Sequence, residues 1–373
     1  MTGGGIPGIF VEKKSSQRRL SKCLTPPLKA TSQRPALWRS STMSTSSSPS
    51  PSTSTSTSRF TLPNTTPSIP ITHPTNLTQD QILNFPAFKT WLTTLQHSLS
   101  LQTTQPSHPF HNSPYTLRSI DIQSADFFSG GSRLGFLKLR ATVTNDTESE
   151  HLPGAVFMRG GSVAMLIILS PSNSDDPTPS PARAPAEEYA ILTLQPRLAA
   201  GSLNFIELPA GMLDDSGTFA GAAAKEIHEE TGLEIQSDEL LDLTQLSIQS
   251  QSQSQSQSRG RHEPEHEQHP IDQGDQRDQK DQSTDQVEPH LQQAIYPSPG
   301  ASDEFIPIFL ARKSMTHQQI NELKGKLTGL RDHGEKITLK IVPLNQVWKV
   351  AARDGKTLAA LALYQGLKGE GRI

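Results

Sequence analysis

The sequence predicts an α+β protein, because strand-like runs and helical stretches are mixed along the chain. Eight strand-like runs cover residues 117–122, 134–142, 155–159, 162–169, 189–194, 203–208, 304–311 and 337–342. One helical stretch precedes this series at 80–101, and another follows it at 344–367. Mixed strands with flanking helices agree with an α+β plan.

The individual elements carry local signals of their own. The helix at 80–101 has an apolar side and is broken near Pro86, since proline ends the hydrogen-bond ladder of a helix. Pro307 indicates that the run at 304–311 is an edge strand. The C-terminal helix is interrupted at Asp354 and Gly355. The apolar side of the first helix consists of Ile82, Leu83, Phe88, Trp91, Leu92 and Leu95.

Composition excludes several classes of partner. The chain has 373 residues, 33% of them hydrophobic, and a net charge of -3, so it can build one or two cores and shows no global charge for binding nucleic acid. Its longest apolar run, 163–169, is too short to span a membrane. Cys23 is the single cysteine, which precludes an intrachain disulfide. We therefore expect neither nucleic acid nor a membrane as a partner.

The N-terminal part of the chain, residues 1–77, is predicted to be a disordered segment. It is rich in Ser, Thr and Pro, and Glu12 is its single acidic residue among many basic ones. This composition is typical both of organelle transit peptides and of disordered tails. Import into mitochondria or another organelle is one interpretation. A second is translation from Met43, which would give a cytoplasmic form.

A second low-complexity segment divides the rest of the chain. Residues 247–289 consist of Gln-Ser and Asp-Gln repeats with almost no apolar side chains, so they cannot offset the entropy cost of ordering. We predict a disordered insert there. The expected organisation is an N-terminal helix and β-sheet extension at 78–150, followed by a main domain at 151–373 that this insert interrupts.

An acidic cluster points to a site. Glu226, Glu229 and Glu230 are three and four residues apart, so a helix places all three on one face, and such crowding is unfavourable without a cation. A solvated acidic face is the alternative. The strand-like run before the cluster stops at Pro209 and Gly211, and a strand, loop and helix with oxygen ligands suits Mg²⁺.

Residues 211–233 resemble the Nudix box, a glycine followed at fixed spacing by an Arg-Glu-x-x-Glu-Glu-x-Gly core. Gly211 takes the first position, and the three glutamates take theirs. Gly217 stands where a glutamate is expected, with Asp214 or Asp215 as substitutes nearby. Lys225 stands where the arginine is expected, and it lacks the planar fork that orients a carboxylate.

Two motifs outside the box resemble one subfamily, the ADP-ribose and ADP-sugar pyrophosphatases. The strand at 189–197 ends in Gln195-Pro-Arg197, and the segment Ser298-Pro-Gly300 is followed by Glu304. Residues 328–348 resemble the C-terminal part of plant-type ADP-sugar diphosphatases. The resemblance implies a Nudix α/β/α sandwich with an N-terminal β-sheet extension, and a homodimer.

The resemblance also implies roles for single residues. Glu226, Glu229, Glu230 and the Ala210 carbonyl would bind Mg²⁺, with Mn²⁺ as an alternative. Glu335 would be the general base, and Glu229 and Lys225 would assist catalysis. The substrate-binding residues would be Arg197, Glu207, Ser298, Gly300 and Glu304.

The implied activity is Mg²⁺-dependent hydrolysis of the diphosphate of an ADP-sugar, such as ADP-ribose or ADP-glucose, to AMP and a sugar phosphate. Gly217 and Lys225 favour one alternative, a noncatalytic binder of ADP-ribose or of a partner protein. The intact glutamates oppose it, and reduced rather than absent activity is expected. Another alternative is a hydrolase of a different nucleoside diphosphate derivative.

Overall fold

Two β-sheets organise the chain in the computed structural model, which describes residues 56–128, 131, 133–145, 147, 150–172, 187–213, 218–249, 290–330 and 336–373. The strands are β1 Thr57–Thr61, β2 Pro70–Pro74, β3 Tyr115–Phe128, β4 Arg133–Asn145, β5 His151–Leu152, β6 Ala155–Met158, β7 Ser162–Pro171, β8 Tyr189–Arg197, β9 Ser202–Glu207, β10 Ala210–Met212, β11 Leu241–Asp242, β12 Ile308–Met315, β13 Leu327–Thr328 and β14 Ile337–Pro343. The helices are α1 Gln79–Asn84, α2 Pro86–Thr104, α3 Phe219–Thr231, α4 at 243–249, α5 His317–Leu323, α6 Val347–Val350 and α7 Gly355–Gly369.

The N-terminal sheet contains β1 to β6 in the order β1-β2-β3-β4-β5, with β6 also paired to β4. All neighbours are antiparallel except β2 and β3. Helices α1 and α2 supply Ile82 and Phe88 to its apolar core. The predicted break near Pro86 is present, because Phe85 is extended and Pro86 is the first residue of α2.

The predicted disordered segment extends too far along the chain. Residues 57–61 and 70–74 pair as β1 and β2, and Leu62, Ile69, Ile71 and Leu77 are buried. The alternation of apolar residues at 60 and 62, and at 69 and 71, is the strand signal that the Ser, Thr and Pro background obscured. The proposed transit segment and Met43 lie outside the described residues.

The central sheet has the order β11-β12-β7-β8-β14-β13, with β10 paired to β7 and β9 paired to β8. Strand β7 is buried on both faces and therefore reads as a continuous apolar run. Its Met165 and Ile167 pack with α3 and α5, whereas Leu166 and Ile168 pack with α6 and α7. The α/β/α sandwich predicted by the resemblance is confirmed.

The edge-strand interpretation of Pro307 is wrong. Pro307 lies just before β12, and its carbonyl accepts a hydrogen bond from the Ala164 N–H. β12 itself pairs in parallel with β7 along its whole length and with β11 on its other side. A proline that precedes a strand removes no donor from the sheet.

The C-terminal helix divides where the sequence predicts. Helix α6 ends at Val350, and Asp354 is the N-cap of α7, accepting hydrogen bonds from the N–H groups of Lys356 and Thr357. Asp354 Oδ2 also accepts from the Leu208 N–H at 3.2 Å. This contact fixes the start of α7 to the end of β9.

The predicted insert begins too early, since α4 runs through residues 243–249. Leu243 is fully buried, and the Leu246 carbonyl accepts a hydrogen bond from Arg372 at 2.8 Å. These contacts place the end of α4 in the folded domain. Residues 250–289 lie outside the described residues. No described helix is long and apolar enough to cross a membrane.

Replacement of residues 250–289 by a short Gly-Ser linker is expected to leave the thermal midpoint and the activity nearly unchanged. The entropy of loop closure changes by only about 0.6 kcal/mol for each doubling of loop length. Calorimetry of the full chain and the shortened chain measures the effect. A shift of more than roughly 5 °C would contradict it, since this equals more than about 1 kcal/mol.

Candidate active site

Helix α3 carries the acidic cluster, and local signals fix both of its ends. Thr218 caps its first turn by accepting a hydrogen bond from the Gly221 N–H at 3.1 Å. Gly232 ends it in the left-handed conformation, with φ of 74°. Glu226 and Glu230, one turn apart, line a cavity between the two sheets. Glu229 is half-buried and does not line this cavity.

Glu230 is a buried carboxylic acid group, with 5% of its surface exposed. Its Oε2 accepts a hydrogen bond from the Ala210 N–H at 3.0 Å, which joins α3 to β10. Burial is the main cause that raises the pKa of Glu230 to about 8, and the negative charge of Glu226 is the second cause. At neutral pH and without a cation, the group therefore holds a proton for most of the time.

Gly211 makes room for the Glu226 carboxylate. A Cβ atom at position 211 would overlap the carboxylate carbon and both oxygens of Glu226. Strand β10 holds Gly211 in place by pairing it with Val163 of β7. The glycine at the start of the motif is thus required by a close approach of backbone to side chain.

The donor set suits a hard divalent cation. Two carboxylates, Glu226 and Glu230, repel each other in a sheltered place beside the backbone of Ala210, and a cation would remove that repulsion. Within the described ranges, no three His, Cys, Asp or Glu side chains form a metal-binding group. Mg²⁺ ordinarily takes one or two carboxylates and completes its shell with water and substrate phosphate, so the two glutamates meet its needs.

Four alternating charges line the cavity near these glutamates. Glu207, 2% exposed, contacts Arg197 Nε at 2.5 Å through Oε1 and Lys356 Nζ at 2.7 Å through Oε2. Lys356 also contacts Asp354 at 2.9 Å. Burial lowers the pKa of Lys356, but the charges of Glu207 and Asp354 outweigh burial and raise it above the ordinary value. The predicted substrate residues Arg197 and Glu207 thus lie together.

The Ser-Pro-Gly segment contributes Glu304 to the cavity. Glu304 accepts a hydrogen bond from Ser162 Oγ at 2.9 Å and forms an ion pair with Arg159 at 3.2 Å. The half-buried Asp303 accepts from the backbone N–H of Arg159, which fixes the loop to the end of β6. Ser298 and Gly300 are exposed and lie outside the cavity lining, so their substrate role stays a prediction.

The cavity has a volume of about 1220 Å³ and receives side chains from both sheets. Phe128, Arg133 and Phe136 of the N-terminal sheet line it, and Phe128 and Phe136 stack edge to face at 5.0 Å. Lys225 lines the opposite, central-sheet part, near Glu226. A ligand with a polar and an apolar part fits such a lining.

Several predicted residues lie outside the described part of the chain. They are Glu335, the proposed base, and the loop residues Asp214, Asp215 and Gly217. Their roles stay predictions.

Sequence reasoning did not identify Lys356, Asp354 or Arg159 as site residues. Asp354 and Gly355 marked only a helix break, although Asp before a helical stretch is also an N-cap signal. Lys356 is 149 positions from Glu207 in the sequence, and no local pattern connects residues that far apart.

Comparison with known proteins gives two sequence matches. The model of the NUDIX domain matches residues 184–307. The chain is 32% identical over 287 residues to Nudix hydrolase 14, chloroplastic, from Arabidopsis thaliana, an alignment that covers 77% of this chain and 72% of that protein.

Two solved structures align at low scores. An ADP compounds hydrolase aligns over 69% of this chain and 99% of its own, with 14% identity and a TM-score of 0.33. A mutT/nudix family protein from Listeria innocua aligns over 56% and 97%, with 12% identity and a TM-score of 0.29. Family membership therefore rests on the sequence matches.

In the presence of a chelator, Glu230→Gln is expected to stabilise the protein at pH 9 but not at pH 5. The folded-state pKa of Glu230 lies above the ordinary 4.5, so its contribution to stability is present at low pH and is lost as the pH rises through about 8. Gln imitates the protonated group and keeps that contribution, on the order of 5 kcal/mol for a shift from 4.5 to about 8. Chemical denaturation at both pH values measures the difference.

Glu229→Gln is the matched control, because Glu229 lies on the same helix but is only half-buried. It should show no such pH dependence. Added Mg²⁺ should stabilise the wild type and not Glu230→Gln, since ligands stabilise the state that binds them. If the free energy of unfolding changed with pH in the same way in the wild type and in Glu230→Gln, the raised pKa of the buried Glu230 would be contradicted.

Gly211→Ala is expected to displace the Glu226 carboxylate and to lower metal-dependent activity at least tenfold, because the added methyl group takes the place of that carboxylate. Gly366→Ala, where a Cβ atom meets no atom within 4 Å, is the control and should keep full activity. Steady-state rates over a series of Mg²⁺ concentrations test the pair. Equal activity of the two variants would show that Gly211 has no such role.

Proposed function

The chain belongs to the Nudix family and is a Nudix hydrolase, and from this premise we propose that it cleaves the diphosphate of an ADP-sugar to AMP and a sugar phosphate. One observation supports the proposal most directly. A single cavity contains the carboxyl groups of Glu226 and Glu230 together with the cations of Arg197 and Lys356. Carboxylates can hold metal ions on one part of a diphosphate while cations bind the rest.

Glu226, Glu230 and the Ala210 carbonyl would hold Mg²⁺, with Mn²⁺ as an alternative. When bound, the metal neutralises the charge of a diphosphate and lowers the pKa of a water molecule. Glu229 lies outside the cavity lining, so we propose a supporting role for it rather than a place among the main ligands. Lys225, which lines the cavity near Glu226, supplies a positive charge beside the acidic cluster.

The chain binds and orients the substrate through the opposite wall. Arg197 contacts Glu207 through Nε, which directs its planar fork and leaves the terminal nitrogens for phosphate oxygens. Glu207 is held between two cations, so its role is to position them rather than to contact a diphosphate, which it would repel. Glu304, fixed by Ser162 and Arg159, faces the same cavity as an acceptor for ligand hydroxyl groups.

A general base is still needed to remove a proton from the attacking water. We retain Glu335 for this role on the basis of its motif position. Glu335 lies outside the described residues and precedes β14 by two positions in the sequence, and β14 pairs with β8, the strand that carries Arg197. A carboxylate within one hydrogen bond of the water would suffice.

The choice of an ADP-sugar rests on the motifs around Arg197 and Glu304 and on the size of the cavity. Phe128 and Phe136 of the N-terminal sheet offer apolar surface beside Arg133, and the carboxylates with Arg197 and Lys356 belong to the domain built around the central sheet. A nucleotide with a second, hydroxyl-rich half matches this division. ADP-ribose and ADP-glucose both qualify. A homodimer remains part of the proposal by resemblance.

A noncatalytic binder of ADP-ribose or of a partner protein is the second candidate. It is favoured by Lys225, which provides one charge but no planar fork where the motif has arginine, and by Gly217. The burial of Glu230 beside Glu226 favours the enzyme, since that arrangement is costly unless a cation uses it.

The purified full chain is expected to release AMP from ADP-ribose or ADP-glucose with Mg²⁺, and to release none with a chelator. Glu230→Gln should fold and lose at least about 10²-fold in kcat, because it removes a charged metal ligand. Chromatographic detection of AMP, together with circular dichroism of the variant, measures both effects.

Binding of ADP-ribose without turnover would establish the noncatalytic candidate instead. If the protein cleaved a different dinucleotide and neither ADP-sugar, the proposed substrate would be wrong and the proposed type of reaction, hydrolysis of a diphosphate, would stand. Unchanged turnover in Glu230→Gln would refute the metal site. Lys225→Arg serves as a further comparison, and its activity should equal or exceed that of the wild type.

A further inference from the structure

Three hydrogen-bond donors line the cavity without a full set of acceptors. The Lys356 ammonium has three N–H donors and uses two, one to Glu207 and one to Asp354. Arg197 uses Nε toward Glu207, and within the described ranges its terminal nitrogens make no hydrogen bond. Gln195, 9% exposed, has a buried Nε2 with no acceptor among the described residues. Together they leave a surplus of donors in one cavity.

Of these three residues, Gln195 carries the fully buried donor, which is unfavourable unless a ligand supplies an acceptor, whereas the spare N–H groups of Arg197 and Lys356 can also contact water. A buried donor without a partner costs about 1–3 kcal/mol, and native proteins keep few of them. The three residues come from two distant parts of the chain, the end of β8 and the first turn of α7. The C-terminal helix therefore contributes to the cavity as well as to the core.

The unused donors favour a ligand that carries acceptor oxygens. Glu207 and Asp354 balance the two positive charges, so the preference comes from N–H groups of Arg197 and Lys356 that have no acceptor among the described residues, rather than from a net positive charge. Lys356 has a side chain that is 15% exposed, so its remaining N–H is sheltered yet can reach the cavity. A phosphate oxygen placed there would accept from Lys356 and Arg197 together, without displacing either from Glu207.

We propose that Lys356 is a substrate-binding residue that donates, together with Arg197, to the diphosphate of the ligand, while Glu207 and Asp354 hold the two cations in place. This inference rests on the proposed function. It assigns to α7 a direct contact with the substrate.

The rival explanation is that Lys356 only fixes α7 to the central sheet. Asp354 already does so through its contacts with the Leu208 and Thr357 N–H groups. A fixing role predicts an effect on thermal stability alone. A binding role predicts an effect on KM.

The test compares the wild type with three variants of the full chain, Lys356→Met, Lys356→Gln and Lys356→Arg. Steady-state kinetics are measured on whichever of ADP-ribose and ADP-glucose the wild type cleaves. Lys356→Gln keeps two N–H donors but no charge, so it is the milder of the two substitutions and is used if Lys356→Met does not fold. Both are expected to raise KM roughly tenfold with a smaller change in kcat, since they remove a charged donor. Lys356→Arg should recover part of the loss.

Lys368→Met is the matched control, because Lys368 lies on the same helix, far from the cavity, and contacts the Tyr364 hydroxyl. It should leave KM unchanged. Calorimetric binding of ADP-ribose to Glu230→Gln, with and without Lys356→Gln, gives a second readout, in which Kd should rise by a similar factor.

Wild-type KM and Kd in both Lys356→Met and Lys356→Gln, with a lowered thermal midpoint, would overturn the inference and leave the proposed function intact. A wild-type chain that neither cleaves nor binds these ADP-sugars would overturn both. The two failures are therefore separable.

Discussion

The hydrogen bond from the Ala210 N–H to the buried Glu230 carboxyl group is the contact on which the site depends. It fixes helix α3 against the short strand β10. Burial in this place makes the charged form of Glu230 unfavourable, and the charge of Glu226 adds to the cost. Without a cation, the Glu230 carboxyl group therefore keeps its proton at neutral pH. The same burial makes the site selective for a ligand that brings positive charge.

The small size of Gly211 follows from the same constraint. Glu230 accepts from the Ala210 N–H, and Glu226, one turn earlier on α3, lies directly over the backbone at position 211, where a side chain would overlap it. Strand β7 stabilises this geometry by pairing with β10, β12 and β8, and its alternate residues enter the two cores of the sandwich. The stability of the fold and the placement of the carboxylates thus depend on one strand.

A second constraint acts on the opposite wall, where Glu207 is almost fully buried and needs its two cations. Removing one partner of a buried charge typically costs more than the pair contributes. The cations are therefore held in defined positions, and Asp354 joins them to the N-terminus of α7. The site is built from the end of β8, the N-terminus of α7 and one face of α3, all of which are regular secondary structure.

The sequence by itself predicted the family and the α/β/α sandwich, because residues 211–233 and two further motifs resemble those of Nudix pyrophosphatases. The same resemblance pointed to Glu226, Glu230, Arg197 and Glu207, which line one cavity. Local signals, a proline at 86 and an Asp-Gly pair at 354–355, predicted the break near Pro86 and the division of the C-terminal helix. Sequence patterns missed strands β1 and β2, because their few alternating apolar residues lie in a segment rich in Ser, Thr and Pro. They also placed the start of the insert at residue 247, which lies inside α4.

Only the tertiary structure decided that Glu229 lies outside the cavity while Lys356 lies within it. Helical spacing places three carboxylates on one face, and in the folded chain Glu230 contacts Ala210 and Glu226 lies against Gly211, both residues of β10. Lys356 reaches Glu207 because α7 packs on the central sheet. Such contacts depend on how distant elements pack, and no local pattern in the sequence records that packing.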